Sequence, residues 1–151
     1  MVTSQTESAA AAAVAAPAHS PDAAACGGAC PEFDVFARAC PSRETLEHVT
    51  GRWGILALTA LSDGTMRFNA LRRRVDGVSE KMLAQTLHGL ERDGLVDRTA
   101  RPTNPPYVEY SLTPLGRETT SRLHALIELV EGRMPEVIAA RQRYDATRAR
   151  G

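Results

Sequence analysis

The chain has three cysteines, Cys26, Cys30 and Cys40, all within fifteen residues of one another. A thiol does chemistry as its thiolate, so its surroundings decide its use. Cys40 precedes Pro41-Ser42 and a segment of helical spacing, which places it beside a helix N-terminus whose positive dipole end favours thiolate. An accessible thiolate there can be oxidised or alkylated; a buried one is inert. Cys26 and Cys30 could resolve a sulfenic acid on Cys40 as a disulfide, pair with each other, or be incidental. Their CGGAC spacing, with nine residues between Cys30 and Cys40, is not a standard zinc pattern. A fourth ligand would have to be His19 or His48. No metal and no cofactor is expected. The four histidines are scattered, Gly27-Gly28 is no phosphate loop and no Ser/His/Asp grouping can be argued, so no enzyme is expected.

A second set of residues suits nucleic acid. Between Ser79 and Asp93, Lys81, Gln85, His88 and Arg92 fall on one side of a helical wheel, and Met82, Leu83, Leu87 and Leu90 on the other. Glutamine can pair bidentately with adenine, and lysine can reach guanine O6 and N7. His88 and Arg92, further along, would meet phosphate. The alternative is an ordinary solvated helix face. Ser79 is expected to cap the helix and could also bond a phosphate. Arg72-Arg73-Arg74 lie on the preceding short helix, where they could neutralise phosphates, with one of them paired to Asp76 as the alternative. Arg101 and Asn104 flank a loop tip that could reach phosphate or the minor groove.

The elements that must hold these residues follow from periodicity. Residues 1–32 are rich in Ala, Ser, Pro and Gly, and are expected to be a flexible tail carrying Cys26 and Cys30. The domain is expected over 33–151. SRETLEHVTG opens with Ser42 as N-cap, and RWGILALTALSDG follows with Trp53, Leu56, Ala57, Ala60 and Leu61 at helical spacing. Trp53 and Phe68 are expected in the core. Asn69 is expected to cap ALRRRV, and Gly94 to end the helix that Ser79 begins. Leu95 to Arg101 and Tyr107 to Thr113 alternate like strands, with Pro102 to Pro106 as a rigid tip between them. Thr113-Pro114 starts a last helix, about 114–145, with Leu115, Leu123, Leu126, Ile127, Val130 and Met134 as its stripe and Pro135 ending or kinking it. That stripe has little domain left to pack on, which implies a partner subunit.

Composition sets bounds. Apolar residues make up 43% and aromatics 5%, enough for one modest core. The longest apolar run, AAAAAVAA, is far short of the roughly 20 residues of a membrane span, and lacks the preceding basic residue of a secretory signal. A cytoplasmic protein is the simplest expectation. The net charge of +0 counts against bulk electrostatic attraction to DNA, so binding must rest on local clusters.

Taken in order, these residues resemble the HxlR-type winged helix-turn-helix transcriptional regulators. The marks are Cys40-Pro41, Gly51-Arg52-Trp53, Arg67-Phe68-Asn69-Ala70-Leu71, Ser79-Glu80-Lys81-Met82-Leu83, Leu90 to Val96, and Tyr107 to Gly116. They span roughly half the chain. Cys26 and Cys30 depart from the family pattern. The resemblance implies an α+β, mainly α fold: a winged helix-turn-helix with a two-stranded wing and additional terminal dimerisation helices. It also implies a homodimer on a palindromic double-stranded operator, acting as repressor or activator. Some members respond to oxidants or electrophiles through a cysteine near the start of the domain, which points to Cys40. Three other readings stay open: a regulator gated by a small-molecule ligand with incidental cysteines, a winged-helix protein-interaction module that does not bind DNA, and a metal sensor.

Overall fold

The computed structural model describes residues 33–150. Cys26, Cys30 and the expected tail lie outside the described residues. The element order is α1 (Pro41–Thr50), α2 (Arg52–Leu61), β1 (Met66–Arg67), α3 (Phe68–Arg74), α4 (Glu80–Arg92), β2 (Val96–Arg101), β3 (Tyr107–Leu112), α5 (Pro114–Gly132) and α6 (Met134–Arg148). Mostly helical with one small antiparallel sheet, it is a winged helix-turn-helix with extra C-terminal helices.

Leu83, Leu87 and Leu90 recur at i, i+4 and i+7 along α4 and are fully buried. They meet Ala57, Leu58 and Leu61 of α2, Leu71 of α3, and Val96, Tyr110 and Leu112 of the sheet in one core. The ends of α4 are set by local chemistry. Ser79 Oγ accepts from the Met82 N–H at 3.2 Å. At the other end Gly94 turns left-handed at φ +73°, and the Leu95 N–H donates to the Leu90 carbonyl at 2.9 Å, while that of Gly94 donates to Glu91 at 3.0 Å. This is a Schellman closure, which favours glycine because a Cβ is strained there.

The wing strands pair antiparallel from Val96 opposite Leu112 to Arg101 opposite Tyr107. Thr113 joins wing to α5: its Oγ1 accepts from the Gly116 N–H at 2.9 Å and donates to the Gly94 carbonyl at 2.7 Å. Gly116 brings α5 close enough to the α4–β2 link that a Cβ built there would lie 1.9 Å from the Leu95 carbonyl oxygen.

Several expectations need correction. The sheet has three strands in the order β1-β3-β2, because Met66 and Arg67 pair with Tyr110 and Glu109. Two residues are too short to show alternation in sequence. Arg67 leaves that strand directly into α3 and is its N-cap residue, so Asn69 lies inside the helix and does not cap it. Cys40, not Ser42, is the N-cap residue of α1, since Pro41 takes the first helical position, where its missing N–H is no loss. Met82 is 40% exposed, at the flank of the narrow leucine stripe, and Leu56 is exposed while Leu58 is buried. Trp53 and Phe68 pack against the core without entering it. The single last helix expected over about 114–145 is two: α5 ends before Pro135, one of the two outcomes expected of that proline, and a separate α6 starts with Pro135 in its first turn. Leu123 of the expected stripe is buried, whereas Leu126, Leu129 and Val130 are 48%, 59% and 47% exposed.

Candidate nucleic-acid interface

The polar side of α4 is built as the periodicity requires. Lys81, Gln85 and His88 are exposed, and Ser79 caps the helix at the same end. Arg92 is also exposed, but it points back to α1, where its Nη1 donates to Glu44 at 2.8 Å. Among the described residues, Lys81 and Gln85 are therefore the long side chains near the start of the helix without a side-chain partner, and Arg92 is anchored at its end.

α3 supplies the flanking basic cluster. A groove of about 800 Å³ between α3 and the start of α4 is lined by Asn69, Arg72, Arg73, Asp76 and Glu80. Arg72 pairs with Glu80, and Arg74 reaches Asp63 at 4.0 Å. No pairing of these arginines with Asp76, the alternative to phosphate contact, is seen among the described residues; Glu80 and Asp63 are the acids that Arg72 and Arg74 meet. Arg73 has no ion-pair partner among the described residues, so it is the α3 cation whose charge is least compensated.

On the other side of α4, a smaller groove of about 250 Å³ brings Gln85, Met82 and Thr86 against Arg52 and Trp53. The Arg52 guanidinium stacks over the Trp53 ring at 4.6 Å. Arg52 was read in sequence only as part of a helix opening; its place beside Gln85 depends on the α2–α4 packing. The sheet adds two more cations, of which only Arg98, in a strand long enough to alternate, could have been flagged from sequence. Arg98 is exposed, although it shares the sheet face of buried Val96 and stands opposite Tyr110. Arg67 stacks over the Tyr107 ring at 3.6 Å. Arg101 donates from Nε to Glu109 at 3.0 Å, and Asn104 is exposed at the tip, where Thr103 Oγ1 donates to the Pro105 carbonyl at 2.9 Å.

Cys40 stands apart from these residues, as the N-cap residue of α1. It is half-buried at the N-terminus of α1, its Sγ 3.0 Å from Ser42 Oγ. The Ser42 hydroxyl, then the Ser42 backbone N–H, hold the thiol below its ordinary range, against opposition from partial burial and the Asp34 carboxylate. Arg38, Arg43, Glu44 and Glu47 line the cavity beside it, about 450 Å³. The helix that starts at Cys40 is tied to the far end of α4 twice. Besides Glu44–Arg92, His48 Nδ1 lies 2.7 Å from the Asp93 carboxylate.

Among the described residues, no group of three or more His, Cys, Asp or Glu side chains is gathered to hold a metal ion. No described helix is long and apolar enough to cross a membrane.

A capped helix presented to solvent, a shorter basic helix before it and a β2–β3 hairpin after it define the winged helix-turn-helix class. The chain belongs to the HxlR-like helix-turn-helix family, whose model matches residues 48–137. It is 56% identical over 110 residues to YtfH of Escherichia coli K12, an uncharacterised HTH-type transcriptional regulator, covering 73% of this chain and 87% of that one. The solved structure of the putative transcriptional regulator ytfH from Salmonella typhimurium superposes with a TM-score of 0.70 at 55% identity, over 74% of this chain and 99% of that one. The redox regulator HypR in its oxidised form superposes with a TM-score of 0.57 at 36% identity, over 62% and 96%. The chain is thus a transcriptional regulator of the helix-turn-helix type, and its relatives are regulators rather than enzymes.

Proposed function

We propose that the protein is a homodimer that binds a palindromic operator in the cytoplasm, and that a thiol at Cys40 controls it. The observation that carries the DNA reading is the solvent side of α4: Lys81 and Gln85 stand free next to the cap at Ser79, between Arg73 on one side and Arg52 on the other. In the major groove, Gln85 and Lys81 would read base edges, Arg72, Arg73, Ser79 and His88 would meet phosphate, and Arg101 and Asn104 on the wing would meet flanking backbone. Arg92 contributes by holding α4 to α1. Residues 33–151 form the binding unit, and the exposed leucines of α5 are the surface for a second copy. Two recognition helices would then sit about one DNA turn apart, roughly 34 Å. The overall charge of +0 makes this binding depend on the local cluster rather than on the whole protein's field.

Control through Cys40 is supported by its lowered pKa, its partial exposure and its connection to α4. A change of charge or size at Sγ acts on the first turn of α1, and α1 holds α4 at Glu44–Arg92 and His48–Asp93. HypR, a redox regulator of the same fold, is consistent with this reading. Cys26 and Cys30 would serve as resolving thiols.

Fluorescence anisotropy with DNA from the gene's own upstream region tests both parts, first reduced and then with diamide. Salt-dependent saturable binding is expected, altered by diamide in the native protein and unaltered in Cys40→Ser. No binding at any salt favours a protein-interaction module instead. Binding with the same oxidant response in Cys40→Ser removes Cys40 from control.

A further inference from the structure

A cavity of about 600 Å³ opens between the end of α2, the approach to β1, strand β3 and α5, away from both α4 and Cys40. Leu61 and Leu112 give it a buried apolar floor, Ala125 an apolar edge, and Arg117 and His124 a polar wall. Arg117 Nη1 donates to the Leu112 carbonyl at 2.8 Å, which fixes the guanidinium at the wall and leaves most of its N–H groups unused. The Ser62 hydroxyl donates to the Thr59 carbonyl at 2.6 Å and so accepts from His124 Nε2 at 2.9 Å, which fixes the imidazole at the wall. Neither Arg117 nor His124 has a carboxylate partner among the described residues. Glu128 is the one acid in the lining, a turn beyond His124.

The faces of α5 keep this cavity open in a dimer. At 100° per residue, Arg117, Ser121, His124 and Glu128 share one side of the helix. Leu115, Leu126, Leu129 and Val130, all exposed, lie roughly half a turn away. Leu123 and Thr120, between the two, are buried in the core. A second copy on the leucine face therefore leaves the Arg117–His124 face accessible.

We propose that this cavity is an effector site for a small carboxylate with an apolar body. The carboxylate would accept from the unused N–H groups of Arg117, a planar fork that matches two oxygens, beside the His124 ring. The apolar body would cover Leu112 and Ala125. Such a ligand touches β3 and α5 at once, so it sets the angle at which the wing meets the helix that carries the leucine face. The effector role rests on the proposed DNA reading; the binding site does not.

The test uses benzoate as the anionic probe, with benzyl alcohol and benzylamine as controls, in NMR titrations of the full chain. Saturable shifts of the His124 ring and of the Ser111 and Thr65 amides are expected with benzoate and not with the controls. Ala125→Leu, at an exposed helical position on the cavity's edge, should block its mouth and abolish them without unfolding the protein. Arg117→Gln should weaken binding at least about tenfold, as loss of a charge-assisted hydrogen bond does. No saturable shift, shifts retained in Ala125→Leu, or equal binding of benzyl alcohol overturns the site. Benzoate binding that leaves operator affinity unchanged overturns the effector role. If the protein binds no DNA at all, the titration still decides the site on its own.

Discussion

Two glycines of α5 should respond oppositely to the same substitution. In Gly116→Ala the new Cβ would lie 1.9 Å from the Leu95 carbonyl oxygen and 3.0 Å from its carbonyl carbon. Ordinary contact needs about 3.4 Å, so the helix must retreat by about 1.5 Å. The same carbonyl accepts from the Thr113 N–H at 3.1 Å, and Thr113 Oγ1 bridges the Gly94 carbonyl and the Gly116 N–H. A retreat of that size breaks the first bond and strains the other two. Overpacking against backbone costs about 1–3 kcal/mol and the one hydrogen bond lost adds about 1 kcal/mol, so the sum is about 2–4 kcal/mol. For a domain of this size that corresponds to a fall in Tm of at least about 6 °C. Gly132→Ala, in the last turn of the same helix, meets nothing within 4 Å. It removes only glycine's backbone entropy and should stabilise by up to about 1 kcal/mol. Thermal unfolding followed by circular dichroism, at one fixed protein concentration because a dimer's Tm depends on it, measures both. A Gly116→Ala protein within about 2 °C of native would refute the close approach of α5 to the α4–β2 link.

Other consequences can be measured on DNA and on the thiol. Gln85→Ala should relax preference at one base pair and cost about 1–3 kcal/mol on the best operator; uniform weakening on all sequences would show that Gln85 reads no base. Arg73→Ala should lower the slope of log affinity against log salt by about 1, and Arg72→Ala by less, because Glu80 already offsets that charge. Equal losses would mean that DNA releases Arg72 from Glu80. Ser42→Ala should shift the pH profile of Cys40 alkylation upward: the lowered pKa keeps thiolate present below the ordinary thiol range, and the Ser42 hydroxyl is the largest cause. The Ser42 backbone N–H remains, so the profile should stay below that of a free thiol; an unchanged iodoacetamide rate profile would remove the hydroxyl from that role. Leu87→Ala, emptying a fully buried site on α4, should cost about 2–5 kcal/mol in denaturant unfolding.

The hydrophobic period, a serine cap and a glycine stop are local signals, and they placed α4 to within a residue at each end. Alternation did the same for the wing strands. The short strand β1 carried no such signal, and Asn69 looked like a cap only because pairing to Glu109 is invisible in a two-residue segment. The order of these elements along the chain was sufficient for the family.

The polar face of α4 was legible as a set of residues, but which of them are free was not. Glu44 claims Arg92 across 48 positions, Glu80 claims Arg72 across a turn, and Arg52 joins Gln85 only where α2 packs on α4. Ser42 was misread as a cap for a related reason: its hydroxyl is turned to the Cys40 thiol, a choice settled by where Pro41 starts the helix. The cavity of Arg117 and His124 had no trace in sequence, because its walls come from three separate parts of the chain. What the sequence determined by itself was therefore the elements and their exposed chemistry, since caps, stops and periods act within a few residues. The tertiary structure alone decided which charges are already paired and which donors face open space, since those depend on packing between segments whose separation in the chain leaves no local pattern.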